Sequence, residues 1–373
     1  MNIESEQACK LSNRKNINQR WLSYQKRIAD NHYYFARSCI RQNFFPASET
    51  VFLKILREEL EKDIFDDPEQ TTCTGIAYHS GIIPFETTMT VVARQFSLMT
   101  DAGYENFVCS CVTSFGIYTE VLETWRQFPK TEHKTREDLY KATGKTFKIP
   151  ANLVHTSDII YKYREEIAAK ARYSLINRLT GKPLGIVDHV GCHYAKIFPV
   201  QGIGGAEYPQ VLTGLIDAWG GEQIDYPERR HCCGFGFRQY LLKENRGYSL
   251  ANSRVKFESM EPFKPDAIVA NCPGCAFFLD RWQYVISESE GKTYDDAGFG
   301  IPVLTYEELA GLVLGYDPWE LGLQLHQVDL EPLLKRMGIV YNPAMKYKGS
   351  DGLEIGHPEP PDYLKTTVFS NHS

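Results

Sequence analysis

Short apolar runs alternate along this chain with segments whose apolar residues recur every three or four positions, a pattern that predicts strands alternating with amphipathic helices. In the second half, Leu184–Val190 follows Lys182–Pro183, contains Ile186, Val187 and Val190, and ends at Gly191–Cys192. Val211, Leu212, Leu215, Ile216 and Trp219 then mark one face of a helix that Gly220–Gly221 stops. A strand near Gln223–Tyr226 leads to His231-Cys232-Cys233-Gly234, a helix around Leu241–Phe257 follows, and a strand Ala267–Asn271 runs into Cys272-Pro273-Gly274-Cys275.

The first half repeats this order. His32–Ser38 reads as a strand ending at Cys39, and Phe52, Ile55, Leu56 and Leu60 form a helix face behind Ser48 and Glu49. Cys73 follows the turn-like Asp66-Asp67-Pro68; Met89, Val92, Ala93 and Phe96 mark a helix ending at Gly103, and Phe107–Val108 leads to Cys109-Ser110-Cys111. In the second half each cysteine group thus sits just past the carboxyl end of a strand, where open α/β sheets place their ligands. The reading is an α/β protein of two similar Rossmann-like lobes, short parallel sheets flanked by helices, related as a pseudo-twofold duplication. The expected division is an N-terminal extension 1–30, a first lobe 31–150, a helical connector 151–180, a second lobe 181–340 and a tail 341–373. The connector helix is placed at His155–Tyr173, opening with Thr156-Ser157-Asp158, and the tail, with Pro358-Glu359-Pro360-Pro361, reads as an extended arm.

Composition narrows the chemistry. Against 41 basic residues stand 47 acidic ones, a net charge of -6, which argues against a nucleic-acid groove. No apolar run is long enough for a membrane span, and Met1–Arg20 lacks the apolar stretch of a secretory signal. The expected setting is cytoplasmic, with any membrane association made through partners. Ten cysteines in such a chain point to reduced thiols and metal or redox chemistry rather than disulfide staples.

The cysteines fall into a repeated spacing. Thirty-nine residues (193–231) separate Cys192 from Cys232–Cys233, and thirty-eight (234–271) separate that pair from Cys272. Adjacent cysteines bridge each other poorly, whereas five soft thiolates from three segments suit a thiophilic, polynuclear centre. The bland alternatives are structural zinc or coincidentally buried thiols. In the first half, thirty-three residues (40–72) separate Cys39 from Cys73, and thirty-five (74–108) separate Cys73 from Cys109. Thr74 stands where a second adjacent cysteine is expected, and Cys109-x-Cys111 replaces Cys-x-x-Cys. Cys39, Cys73, Cys109 and Cys111 suffice for a [2Fe–2S] or [4Fe–4S] cluster or for zinc. His79 is a conceivable fifth donor, although a histidine in a turn is more often simply hydrogen-bonded. Cys9 lies outside both repeats and reads as a bystander.

Cys192, Cys232-Cys233-Gly234 and Cys272-x-x-Cys275 resemble the twin CCG-domain proteins typified by the B-type subunit of heterodisulfide reductase. The flanks resemble it too: His189-Val-Gly-Cys-His-Tyr194, Asn271-Cys-Pro-Gly-Cys275 with Leu279, Asp280 and Gln283, Ile301-Pro-Val-Leu304, and Leu321-Gly-Leu323 with His326, Val328 and Asp329. The resemblance implies a noncubane [4Fe–4S] cluster held by Cys192, Cys232, Cys233, Cys272 and Cys275, with disulfide or thiol chemistry at it. The first lobe is a degenerate copy. That degeneracy and the long N-terminus look most like the heterodisulfide reductase-like complexes of sulfur-oxidising microbes. Implied partners are a ferredoxin-like iron–sulfur subunit of the C type, a flavin-carrying subunit of the A type, and a lipoyl carrier protein as substrate.

Around the second-lobe thiols, His193 and His231 are candidates to hydrogen-bond sulfur or shuttle a proton, set against ordinary packed histidines. Lys196, Arg229, Arg230 and Arg238 are candidates to attract an anionic substrate, set against plain surface solvation. Gly234 and Gly236 let backbone amides approach sulfur, while Phe235 and Phe237 exclude water or pack the core. The stripe Phe277, Phe278 and Trp282 reads as core. The leading function is thiol/disulfide or persulfide redox chemistry in sulfur oxidation. The competing readings are methanogen-type heterodisulfide reduction, an electron conduit in a flavin-dependent 2-hydroxyacid or succinate oxidising complex, and a scaffold with two structural metal sites.

Overall fold

The computed structural model describes residues 27–195, 202–205, 208–235, 246–291, 299–341, 347–348 and 354–355. Within them lie two four-stranded parallel sheets of the same topology. The first contains β1 (Tyr33–Ala36), β2 (Ile64–Asp66), β3 (Asn106–Cys109) and β4 (Asn152–His155) in the order β2-β1-β3-β4. The second contains β5 (Gly185–His189), β6 (Glu222–Gln223), β7 (Ala267–Ala270) and β8 (Val303–Thr305) in the order β6-β5-β7-β8. The inner strands are short apolar runs buried on both faces: all four residues of β1 and all four of β7 are buried. That is the pattern of parallel strands covered by helices on either side.

Within each sheet the chain leaves the first strand toward one neighbour and returns on the other side, which opens a crevice at the carboxyl ends of β1/β3 and β5/β7. Helices start directly in those crevices. Cys39–Phe44 follows β1, Val112–Gln127 follows β3, Cys192–Ala195 follows β5 and Pro273–Ser289 follows β7. Cys39, Cys109, Cys111, Cys192, Cys272 and Cys275 therefore sit where the fold leaves room for a ligand.

Several segments depart from the pattern reading: Asp66, read as turn-like, closes β2, and the connector breaks at Tyr163 and ends at Ala169. The expected connector helix begins one residue later, at Thr156, because Asn152–His155 is a strand completing the first sheet through pairs such as Phe107↔Leu153 and Val108↔Val154. Four residues are too few to display a period. His155 then caps the helix, its ring nitrogen accepting from the Ser157 N–H, while Asp158 accepts from the His155 N–H. Likewise Val303–Thr305 forms β8, and Thr305 and Glu308 close a capping box on the next helix, Tyr306–Leu314. In the tail, Tyr347–Lys348 and Glu354–Ile355 pair antiparallel. Cys9, Lys196, Gly236, Phe237 and Arg238 lie outside the described residues.

The lobes clasp each other through reciprocal helix contacts. Helix Val112–Gln127 packs on Cys192–Ala195, as Pro273–Ser289 packs on Cys39–Phe44. Helix Tyr306–Leu314 packs on Pro46–Lys54, as Thr156–Lys162 packs on Val211–Ala218. Arg41 is pinned in this seam with no exposed surface: its guanidinium donates to Glu307 at 2.8 Å, Ser48 Oγ at 3.0 Å and the Ser110 carbonyl at 2.5 Å. Breaking such a buried ion pair typically costs about 3–5 kcal/mol, so Arg41 ties the lobes in one arrangement.

Candidate metal centre

The second-lobe crevice is a cleft whose walls include Cys192, Cys232, Cys233, Cys272 and Cys275. Three segments deliver these thiols: the first turn after β5, the loop after β6, and the first turn after β7. Cys233 lies at the centre. Its sulfur is 3.1 Å from that of Cys275, and hydrogen bonds from Cys232 and then Cys275 hold its thiol well below the ordinary value. The neighbours move the other way: Cys232 is raised by its bond to Cys233 and by burial, and Cys275 by its bonds to Cys233 and Cys272. Thiols sharing protons in this fashion surrender them together to a thiophilic metal, since the thiolate is the ligand.

The loop carrying the pair is fixed from behind. Lys256, fully buried, donates to the carbonyls of Glu228 and Arg229 at 3.1 and 3.0 Å. Arg229 makes a two-pronged bond to Asp188 at 2.6 and 2.9 Å, so it braces the loop and does not face the cleft. Arg230 does line the cleft, 3.7 Å from Asp188. Gly234 has φ +93, and its amide donates to the Cys232 sulfur at 3.3 Å, the close backbone approach the glycine permits. Phe235 covers one side and packs edge-to-face on Phe278, with 5.0 Å between ring centres. Phe278 and Trp282 are core; Phe277 instead stacks on Phe44 of the first lobe at 4.0 Å.

His193 and His231 both line the cleft. A His193 ring nitrogen lies 3.2 Å from Thr113 Oγ1, and burial followed by the neighbouring His79 lowers its pKa to about 4. His79 rests against His193 with 4.6 Å between ring centres; burial lowers its pKa as well. His231 Nδ1 lies 3.4 Å from Glu228. Val112 and Thr113 of the first lobe also line the cleft, so it belongs to the seam between lobes. Gly191 makes that possible: a Cβ there would lie 2.7 Å from the Cys272 Cβ and 2.9 Å from Val112 Cγ1.

Strand register aligns the two lobes residue by residue. Ala36 faces Cys109 as His189 faces Ala270. Counting onward, Cys39 matches Cys192, Cys111 matches Cys272, and Ser114 occupies the place of Cys275. Cys109 is thus an additional strand-end cysteine and not the first member of a shortened Cys-x-x-Cys. Its thiol contacts the Val154 carbonyl at 3.5 Å. Cys73 alone takes contacts that the second lobe divides between two cysteines: its sulfur accepts from the Gly75 N–H at 3.4 Å and from Ser114 Oγ at 3.0 Å. Thr74, beside Cys73, lies in the left-handed region at φ 59.

The four first-lobe thiols converge less tightly. Burial raises Cys109 and Cys73 and, with Cys272 of the opposite lobe next in effect, pushes Cys111 up to about 12. Among the described residues, one group of three potential donors has all its ligand atoms within 4.8 Å: His189, Cys233 and Cys275. Sequence reasoning treated His189 only as part of a motif. It also missed Lys256, whose role depends on a fold that carries its ammonium to a distant loop.

Comparison with known proteins agrees with this geometry. Residues 186–280 match the cysteine-rich domain family CCG. The B subunit of the ferredoxin:CoB-CoM heterodisulfide reductase of Methanosarcina acetivorans is 26% identical over 323 residues, 84% of this chain and 98% of that one. The B subunit of the ferredoxin/F(420)H(2)-dependent CoB-CoM heterodisulfide reductase of the same organism is 27% identical over 293 residues, 79% of this chain and 92% of its own. A hypothetical protein from Helicobacter pylori shares the fold with a TM-score of 0.56 at 13% identity, covering 84% of this chain and 57% of that structure. The chain therefore spans little more than half of that solved protein.

Proposed function

We propose that this chain, a homologue of the B-type oxidoreductase subunit of heterodisulfide reductase, carries out thiol–disulfide or persulfide redox chemistry at an iron–sulfur centre in its second lobe. The observation that supports this reading most is five thiols from three segments lining one cleft. Cys192, Cys232, Cys233, Cys272 and Cys275 are the donors for a noncubane [4Fe–4S] cluster. Cys39, Cys73, Cys109 and Cys111 are the donors for a separate [2Fe–2S], [4Fe–4S] or zinc site. The donor set fits: it is soft and gathered, and Lys256 and Arg229 brace its loop from behind. A bound cluster would supply single-electron transfer and an iron open to a substrate sulfur.

The chain's own residues supply the rest. Val112 and Phe235 keep water from the thiols, and Arg230 presents positive charge to an anionic substrate at the wall. Reduction of a disulfide consumes two electrons and two protons and releases two thiols. His193 and His231 are the cleft side chains placed to hand on those protons. The electrons arrive or leave one at a time through a ferredoxin-like subunit, with a flavin-carrying subunit beyond it. The departures in the first lobe support one reactive centre rather than two. That favours a single sulfur on a carrier such as a lipoyl protein, as in sulfur oxidation, over a disulfide split between twin clusters.

Full-length protein purified without oxygen is expected to be brown, to contain iron and acid-labile sulfide, and to show a paramagnetic signal that changes when a thiol is added. Cys233→Ala should lose the second-lobe iron and the thiol response together. Colourless, iron-free, folded protein would sink the proposal, and a signal indifferent to thiols would point to an electron conduit.

A further inference from the structure

We infer that His189 is a nitrogen donor to the second-lobe metal centre, a sixth side chain added to the five thiols. The inference rests on the metal-centre reading above and extends it to a residue outside the cysteine motif. His189 ends β5 with 4% of its surface exposed. Its ring lines the cleft, and its buried Nδ1 has no hydrogen-bond partner. A core histidine ordinarily satisfies both ring nitrogens, because a buried polar atom left alone costs about 1–3 kcal/mol. The nearest soft donors are at hand: ligand atoms of His189, Cys233 and Cys275 all lie within 4.8 Å of one another.

The duplicated fold adds an independent argument. His189 faces Ala270 across the β5/β7 pair, and in the first lobe the same two positions hold Ala36 and Cys109. Residues directly opposite in a strand pair share one face of the sheet. Each lobe thus places one extra soft or borderline donor at the mouth of its crevice, opposite an alanine that leaves it room. In the first lobe it is a thiol, and in the second an imidazole. A neutral imidazole adds a donor without the negative charge that a sixth thiolate would bring.

The test uses full-length protein reconstituted without oxygen and grown with 15N-histidine. Pulsed paramagnetic resonance should show one strongly coupled histidine nitrogen, absent in His189→Gln at equal iron content and retained in His231→Gln. Bound iron with no coupled nitrogen, or a coupling that survives in His189→Gln, overturns the inference and leaves the cluster reading intact. Wild-type protein holding no iron sinks the cluster reading instead. Co2+ alone, titrated into the metal-free chain, then decides on His189. At least tenfold weaker binding in His189→Gln, with a blue-shifted or weakened visible band, is expected; equal affinity and equal spectra overturn it.

Discussion

His326 sits fully buried between two carboxylates, 3.2 Å from Glu308 and 3.8 Å from Asp280. Burial alone would lower its pKa, but Glu308 and then Asp280 outweigh it and raise the value to about 9. A folded-state pKa above the unfolded value of 6.5 means that the contribution is complete below pH 6.5. It fades as pH climbs through 9. Unfolding free energy followed by urea titration should therefore fall by roughly 3 kcal/mol between pH 6.5 and 10, and His326→Gln should flatten that slope. His326 was visible in the sequence only as a motif member. Its partners lie 18 and 46 residues away, and Asp280 also accepts from the Gln327 and Val328 amides, so the motif is one buried clamp.

At the level of elements, the turn Cys232-Cys233-Gly234 shows how much a single backbone angle does. A Cβ at Gly234 would sit 2.6 Å from the Ser249 carbonyl oxygen at a left-handed φ of +93. Gly234→Ala should cost about 2–3 kcal/mol in denaturant melts and release second-lobe metal faster on chelator challenge. The α/β alternation was legible because each lobe's longer helices display one apolar face, as Met89, Val92, Ala93 and Phe96 do on Phe85–Asp101. Asn152–His155 escaped notice because a four-residue strand between a proline and a capped helix has no measurable period. Spacing also paired Cys109 with Cys111 as a shortened motif. Only the register with β1 separates them, and register is a property of the sheet.

Across the whole molecule, the second-lobe cysteines were readable as a set because motif and strand ends coincide. The cleft they line was not, since two of its walls, Val112 and Thr113, come from the other half of the chain. The same closeness makes a prediction. After burial, Cys272 of the opposite lobe contributes most to the raised Cys111 pKa, whereas Cys109 turns toward the Val154 carbonyl. Cys111→Ala should therefore shift the paramagnetic signal of the second-lobe centre, while Cys109→Ala leaves that signal alone and alters only first-lobe metal content.

The reciprocal clasp of helices carries a consequence for how the protein can be divided. The first half supplies two walls of the second half's cleft, Val112 and Thr113, so the second would not mature alone when cut from the first. Produced as two separate polypeptides broken between Ala169 and Gly185, the fragments should stay soluble and gain colour only when co-expressed. Complementation of this kind would make the seam a point of assembly control: iron is retained only after both halves have met.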